Sequence, residues 1–258
     1  MELQKISQAL DSYVRPQTFP VAIKMVSSTG EIPEKARMPK RDLETPMPVC
    51  QGIALARRHG WIITMGEEDI SCPVGAVALG LLPAKAKFFD GSFAIPSYVK
   101  SQEVRAKIHQ GIPRLEQGRY THLVIAPLNR AEFEPQVIIV YGNAAQISRL
   151  IQAAVVGTGK PITSSSFGYV ACPEEIARPI LTDQCQFVVA GGGVRMVAHT
   201  QDHELSFAMP ISKAEAIAEQ LKVTHEAGAR YPTNPILTYK VPFPRGFVEF
   251  MDYLRQDD

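Results

Sequence analysis

The chain has 258 residues, 45% of them hydrophobic and 21% charged, so it can bury a core without disulfides or a structural metal. Its 27 basic and 26 acidic residues nearly cancel, which argues against a strongly electropositive nucleic-acid surface. Apolar runs are too short and too broken by glycine and proline to span a bilayer, and the N-terminus lacks the pattern of a signal peptide. The expectation is therefore a cytoplasmic protein with no membrane and no nucleic-acid partner.

Leu3, Ile6, Leu10 and Tyr13 share one face of a first helix that ends near Val14, because Pro16 and Pro20 cannot continue it. Residues 21–26 are β-branched and apolar apart from Lys24, and read as a strand; 30–48 read as a polar loop. A helix over 51–58 stops at Gly60, a strand covers 61–65, and Cys72-Pro73 opens a second helix running to about 82, with proline favoured just inside a helix start. A basic helix over 101–114 and strands over 122–127 and 137–141 follow. The last is the continuous apolar run expected of a central strand. Asn143 caps a helix over 144–156, which Gly157 and Gly159 end. Beyond it come an extended piece over 164–170, a second Cys-Pro helix start at Cys172, and a strand over 186–190. Gly191, Gly192 and Gly193 then read as a tight hairpin into a strand over 194–198. A solvated turn over 199–204, a strand over 205–209, a helix over 212–221 capped by Ser212 and a last amphipathic helix over 246–254 complete the chain.

The second half echoes the first: strand, helix, glycine stop, extended piece, Cys-Pro. Gly60 lies 12 residues before Cys72 and Gly159 lies 13 before Cys172. This order fits an internal duplication and equally fits two unrelated αβα stretches. The expected fold is α/β or α+β, with mixed sheets flanked by helices. Two pseudo-repeated lobes, 1–130 and 131–258, would be packed together or merged into one domain.

Four cysteines, at 50, 72, 172 and 185, show neither the CxxC spacing of zinc ribbons nor that of ferredoxins. Their position is more informative. Cys72 and Cys172 precede prolines at helix starts and Cys50 directly precedes a helix, where the macrodipole favours a thiolate. Convergence on a metal cluster, thiol redox chemistry and simple burial all remain open at this point. Gly191-Gly-Gly-Val-Arg195 could form an anion-binding nest with a guanidinium beside it, or only a bulged hairpin. The hydroxyls around Ser165 could serve a ligand without making a nucleophile. Lys24, inside an apolar strand, either snorkels to the surface or faces a polar site.

The combined pattern resembles an uncharacterised family of archaea and bacteria, domain of unknown function number 169. The resemblance rests on Pro20-Val-Ala-Ile-Lys24, Cys50-Gln-Gly-Ile-Ala-Leu-Ala-Arg57 with Gly60, Ile70-Ser-Cys72-Pro-Val-Gly75 with Gly80, the strand and helix over 137–156, and Gly192-Gly-Val-Arg195 ahead of Glu204 and Pro210. It implies a shared site without a known activity. Cysteines near Cys50, Cys72 and Cys185 in the family imply an iron–sulfur role. The leading expectation is a cluster held by Cys50, Cys72, Cys172 and Cys185, with Lys24, Arg57 and Arg195 meeting an anionic ligand or a redox partner protein. The alternative is a metal-free module for a small anionic metabolite, bound at Ser165, Gly192, Gly193 and Arg195. Whether the chain is an enzyme is left open.

Overall fold

The computed structural model describes residues 3–95 and 97–256. The helices in chain order are α1 (Leu3–Tyr13), α2 (Pro39–Asp42), α3 (Val49–His59), α4 (Pro73–Ala78), α5 (Ala86–Phe89), α6 (Gln102–Gly111), α7 (Ala144–Thr158), α8 (Arg178–Thr182), α9 (Gly192–Ala198), α10 (Ile211–Glu226) and α11 (Arg245–Leu254). The strands are β1 (Val21–Val26), β2 (Ile63–Met65), β3 (His122–Pro127), β4 (Val137–Gly142), β5 (Gln186–Val188) and β6 (Leu205–Pro210). They form one six-stranded sheet in the order β2-β3-β1-β4-β6-β5, with every pairing antiparallel. The fold is α+β.

Side chains of a strand alternate between faces, so each central strand serves two cores at once. Val21 and Ile23 of β1 and Val137, Ile139 and Tyr141 of β4 point to one face, which α3, α4 and the turn after Cys172 cover. Ala22, Ile138, Val140, Phe207 and Met209 point to the other, which α1, α7 and α10 cover. β1 and β4 are continuous apolar strands because both of their faces are buried.

The two halves of the chain share a strand order: β1-β3-β2 from the first and β4-β6-β5 from the second, joined through the β1–β4 pair. They do not share layering. Helix α3, which follows β1, lies on one face, and α7, which follows β4, lies on the other. A two-fold axis relating antiparallel neighbours would keep both helices on the same face.

Several boundaries hold closely. Gly60 caps α3 in the left-handed conformation, and Asn143 caps α7 by accepting from the Gln146 N–H. Gly157 lies inside α7, which ends only at the left-handed Gly159. Residues 164–170 form no strand. The glycine run does not turn a hairpin: Gly191 precedes α9 directly. Val194 and Ala198 are buried while Met196 stays 78% exposed, a spacing of four that suits a helix and not an alternating strand. Helix α10 begins at Ile211, and the Ser212 hydroxyl bonds Asp183 instead of capping it.

Candidate functional site

Three of the four cysteines come together on the face covered by α3 and α4. Cys50 stands in the first turn of α3, Cys72 is the N-cap residue of α4, and Cys172 precedes a short π-helical turn, Pro173–Ala177. Each belongs to a different apolar cluster. Cys50 packs with Ala54, Ala171 and Val194, Cys72 with Val74 and Val77, and Cys172 lies in the main core, so the thiols meet where the three clusters join. Gly75 lets α4 approach: a Cβ there would lie 3.3 Å from Val49 and 3.5 Å from the Cys172 Sγ. None of the cysteines is in a disulfide. Cys50 and Cys72 are half-buried and Cys172 is buried.

Burial dominates the electrostatics of Cys50 and Cys172. Cys50 is pushed up to about 12 by burial, and then by the nearby Cys72 and Glu175. Cys172 is likewise raised well above the ordinary thiol range, by burial first and then by Cys72, Cys50 and Glu175. For Cys50 and Cys172 the lowering expected from helix starts is overridden, because desolvation and crowding of like charges outweigh the helix amides. Among the described residues no group of three or more His, Cys, Asp or Glu is arranged so that it could hold a metal ion.

Behind the cysteines lies a buried polar chain. Glu175 is completely buried. Its Oε1 accepts from the Tyr141 hydroxyl at 2.9 Å and the Ser206 hydroxyl at 2.5 Å, and its Oε2 has no hydrogen-bond partner. Burial raises its pKa; the Ser206 and Tyr141 donors and the Arg57 charge oppose that shift. The guanidinium of Arg57 stacks on the Tyr141 ring, 4.1 Å from its centroid, and forks onto Glu204 at 2.7 and 2.9 Å. Burial acts to raise Glu204, but hydrogen bonds from Arg57 and the Gln201 N–H, with the Arg57 and Arg58 charges, hold it below the ordinary range. The adjacent Glu174 is equally buried and is held by Arg178 and Ser165. The π turn that carries both carboxylates ends just before Pro179, which has no N–H to give the Glu175 carbonyl, and such turns are frequent at functional sites.

The other expected site residues lie elsewhere or are already engaged. Cys185 alternates with Gln186 and packs with Phe187 against the opposite face of the sheet. Its electrostatic neighbours are Lys213 and Asp183, and burial pushes its thiol up to about 12. Lys24 reaches its own surface partner, Glu31, at 3.1 Å. Arg195 donates to the carbonyls of Ala190 and Gln201, which ties down the ends of α9. Gly192 and Gly193 are exposed in the first turn of α9, with open space where a Cβ would stand. Ser165 holds only Glu174, at 3.4 Å. The anion pocket expected from Ser165, Gly192, Gly193 and Arg195 therefore lacks a free cation.

The family model DUF169, described as "Uncharacterised ArCR", matches residues 9–220. The chain belongs to the DUF169 family. An uncharacterized protein of Methanocaldococcus jannaschii, MJ0308, is 25% identical over 205 residues, covering 78% of this chain and 86% of that one. No solved structure shows a significant match. The DUF169 match encloses the three cysteines, Arg57, Tyr141, Glu175, Ser206 and Glu204, and ends within α10. The tail with α11 lies outside it.

Sequence reading of this DUF169 chain missed Glu175, Tyr141 and the pairing of Arg57 with Glu204. One signal was present: Cys172-Pro-Glu-Glu-Ile-Ala177 places two carboxylates inside an otherwise apolar helix start. Glu204 sat among His199, Asp202 and His203 and resembled one more residue of a solvated turn. Among the described residues no helix is long and apolar enough to cross a membrane.

Proposed function

We propose that this DUF169 protein is a cysteine-ligated iron–sulfur protein whose cluster is held by Cys50, Cys72 and Cys172. The observation that carries the reading is the approach of three unpaired thiols from three separate elements to one another, although as they stand they are not arranged to hold a single metal ion. Thiolates are the ligands that iron–sulfur clusters take, and three of them leave one cluster position for a ligand or a redox partner. The crowding that helps raise Cys50 and Cys172 favours the same reading, since a bound cation reverses the electrostatic penalty of gathering anions. Such a cluster, when bound, supplies electron transfer or a Lewis-acidic iron.

The protein's own residues then have definable tasks. Cys172 forms the buried base of the site, and Cys50 and Cys72 form its open side. Glu175 presents an unpartnered carboxylate oxygen on the same side of the sheet, held in orientation by Tyr141 and Ser206. The paired Arg57 and Glu204 hold the Tyr141 ring against α3. A metal-free anion module draws less support, because Lys24, Arg178 and Arg195 are committed to Glu31, Glu174 and backbone carbonyls.

The test is purification without oxygen from iron-replete cells, with iron, acid-labile sulfide and the visible spectrum measured on one sample. Brown protein that is bleached by Cys72→Ser and Cys172→Ser but keeps its colour in Cys185→Ser is the expected result. Colourless, iron-free wild-type protein would reject the cluster, and loss of colour in Cys185→Ser would reject this ligand set.

A further inference from the structure

The side of the sheet away from the three thiols carries a cavity that the cysteine chemistry does not use. It holds about 370 Å³ and is formed by α7, α10 and the segment 160–163 that follows α7. Ala153, Ala154, Ile162, Ala216 and Ile217 give it apolar walls. Lys160 and Lys213 line it with ammonium groups, and Gln184 and Gln220 with amides. Among the described residues the Lys160 ammonium has no ion-pair partner, and neither glutamine amide is hydrogen-bonded within the chain. Lys213 is paired with Asp183 at 2.8 Å, and the Ser212 hydroxyl donates to the same carboxylate. The other nearby charges turn elsewhere. Helix α7 holds no acidic residue, and its Arg149 donates to the Leu221 carbonyl and the Thr224 hydroxyl. Glu215 and Glu219 of α10 line the separate groove toward α1. Two ammonium groups and one carboxylate therefore remain at the cavity, a net of one positive charge.

We propose that this cavity binds a medium-chain monocarboxylate, with its hydrocarbon chain against the apolar walls and its carboxylate at Lys160 and Lys213. Apolar walls with a few placed polar groups are the ordinary composition of a small-molecule pocket, and the volume falls in the usual range. At the roughly 30 Å³ that one water occupies in the liquid, the space accommodates about a dozen atoms of that size, enough for octanoate with its roughly ten. The charge count selects the head group. A monoanion meets the unpaired Lys160 and leaves the Lys213–Asp183 pair intact, whereas the second charge of a phosphate ester would face Asp183. A neutral head group would leave the Lys160 charge unanswered. No residue of the thiol site lines the cavity, so the proposal does not depend on the cluster.

The test is methyl NMR of the full chain, labelled at its alanine and isoleucine methyl groups and titrated with sodium octanoate in reducing buffer. Saturating shifts are expected at Ala153, Ala154, Ile162, Ala216 and Ile217, with a dissociation constant of about 1 mM or below, the ordinary strength for a ligand of this size. Hexanoate, shorter by two methylenes, should bind about tenfold more weakly. Lys160→Gln/Lys213→Gln reverses the local charge and should weaken octanoate about tenfold while leaving octan-1-ol unaffected. Ala216→Phe, at an exposed position on the wall, should exclude both ligands, and unmoved methyl signals from the other face of the sheet would show that its fold is intact. Absence of saturating shifts at the five wall residues overturns the proposal. Undiminished octanoate binding by the lysine double variant, or tighter binding of octyl phosphate by the wild type, overturns it as well.

Discussion

The two faces of the sheet are built from alternate residues of the same strands, yet they hold different chemistry. Beneath α1, α7 and α10 the strands contribute Ala22, Ile138, Val140, Phe207 and Met209, and the layer is aliphatic and aromatic. Beneath α3, α4 and the π turn, Tyr141 and Ser206 replace apolar residues and meet Glu175, while Arg57 and Glu204 are buried alongside. Burying such groups costs free energy unless each is paired, and replacing them with packed hydrophobes is often neutral or stabilising. The first face also buries a charge, Arg149 of α7, which donates to the Leu221 carbonyl and the Thr224 hydroxyl of α10. The other buries carboxylates as well as a guanidinium, and the three thiols stand on that side.

If this division is right, the largest stability effect from a single change should come from breaking the buried pair. Glu204→Ala leaves the Arg57 guanidinium buried without its fork and should cost about 3–5 kcal/mol by urea denaturation. The same pair sets a pH dependence. The folded-state pKa of Glu204 is depressed below 4.5, so its contribution is fully present above that value and is lost as pH falls through the lower folded value. Glu204→Gln should flatten the acid limb of the stability curve. An acid limb identical to wild type would remove the pair from the account. On the plain face, Leu150→Ala should cost about 2–5 kcal/mol as a cavity in an apolar layer, with no pH dependence and no change in iron content. Iron lost in Leu150→Ala protein that remains folded would show that the two faces are coupled.

How much of this division was legible beforehand depends on distance along the chain. β1 and β3 were readable to the residue, because β-branched runs between prolines are local signals. The helix-start positions of Cys72 and Cys172 were readable for the same reason. The meeting of Cys50 with Cys172 was not, because it depends on the central β1–β4 pairing, and that register is a property of the whole sheet. Cys185 failed for a subtler cause. Its place two residues before Phe187 puts both on one face of β5 and opposite Gln186, and that parity faces away from the other thiols. The glycine run misled because three glycines suit a turn, whereas Val194 and Ala198, four apart, were the helical signal.

The smallest predicted effects separate a ligand from a neighbour. Cys72→Ser changes a half-buried thiol at a helix cap and should cost on the order of 1 kcal/mol of stability while abolishing iron binding. Ser165→Ala removes one long hydrogen bond from an exposed hydroxyl to Glu174, which Arg178 already holds, and should stay within about 0.5 kcal/mol with iron unchanged. The comparison is decisive because the two residues lie on the same side of the sheet and differ in what they can donate to iron. If iron content follows stability across both variants, the thiols are packing residues and the polar face needs another explanation. If iron is lost in Cys72→Ser alone, at almost constant stability, then the groups buried on this face are held there for what they bind.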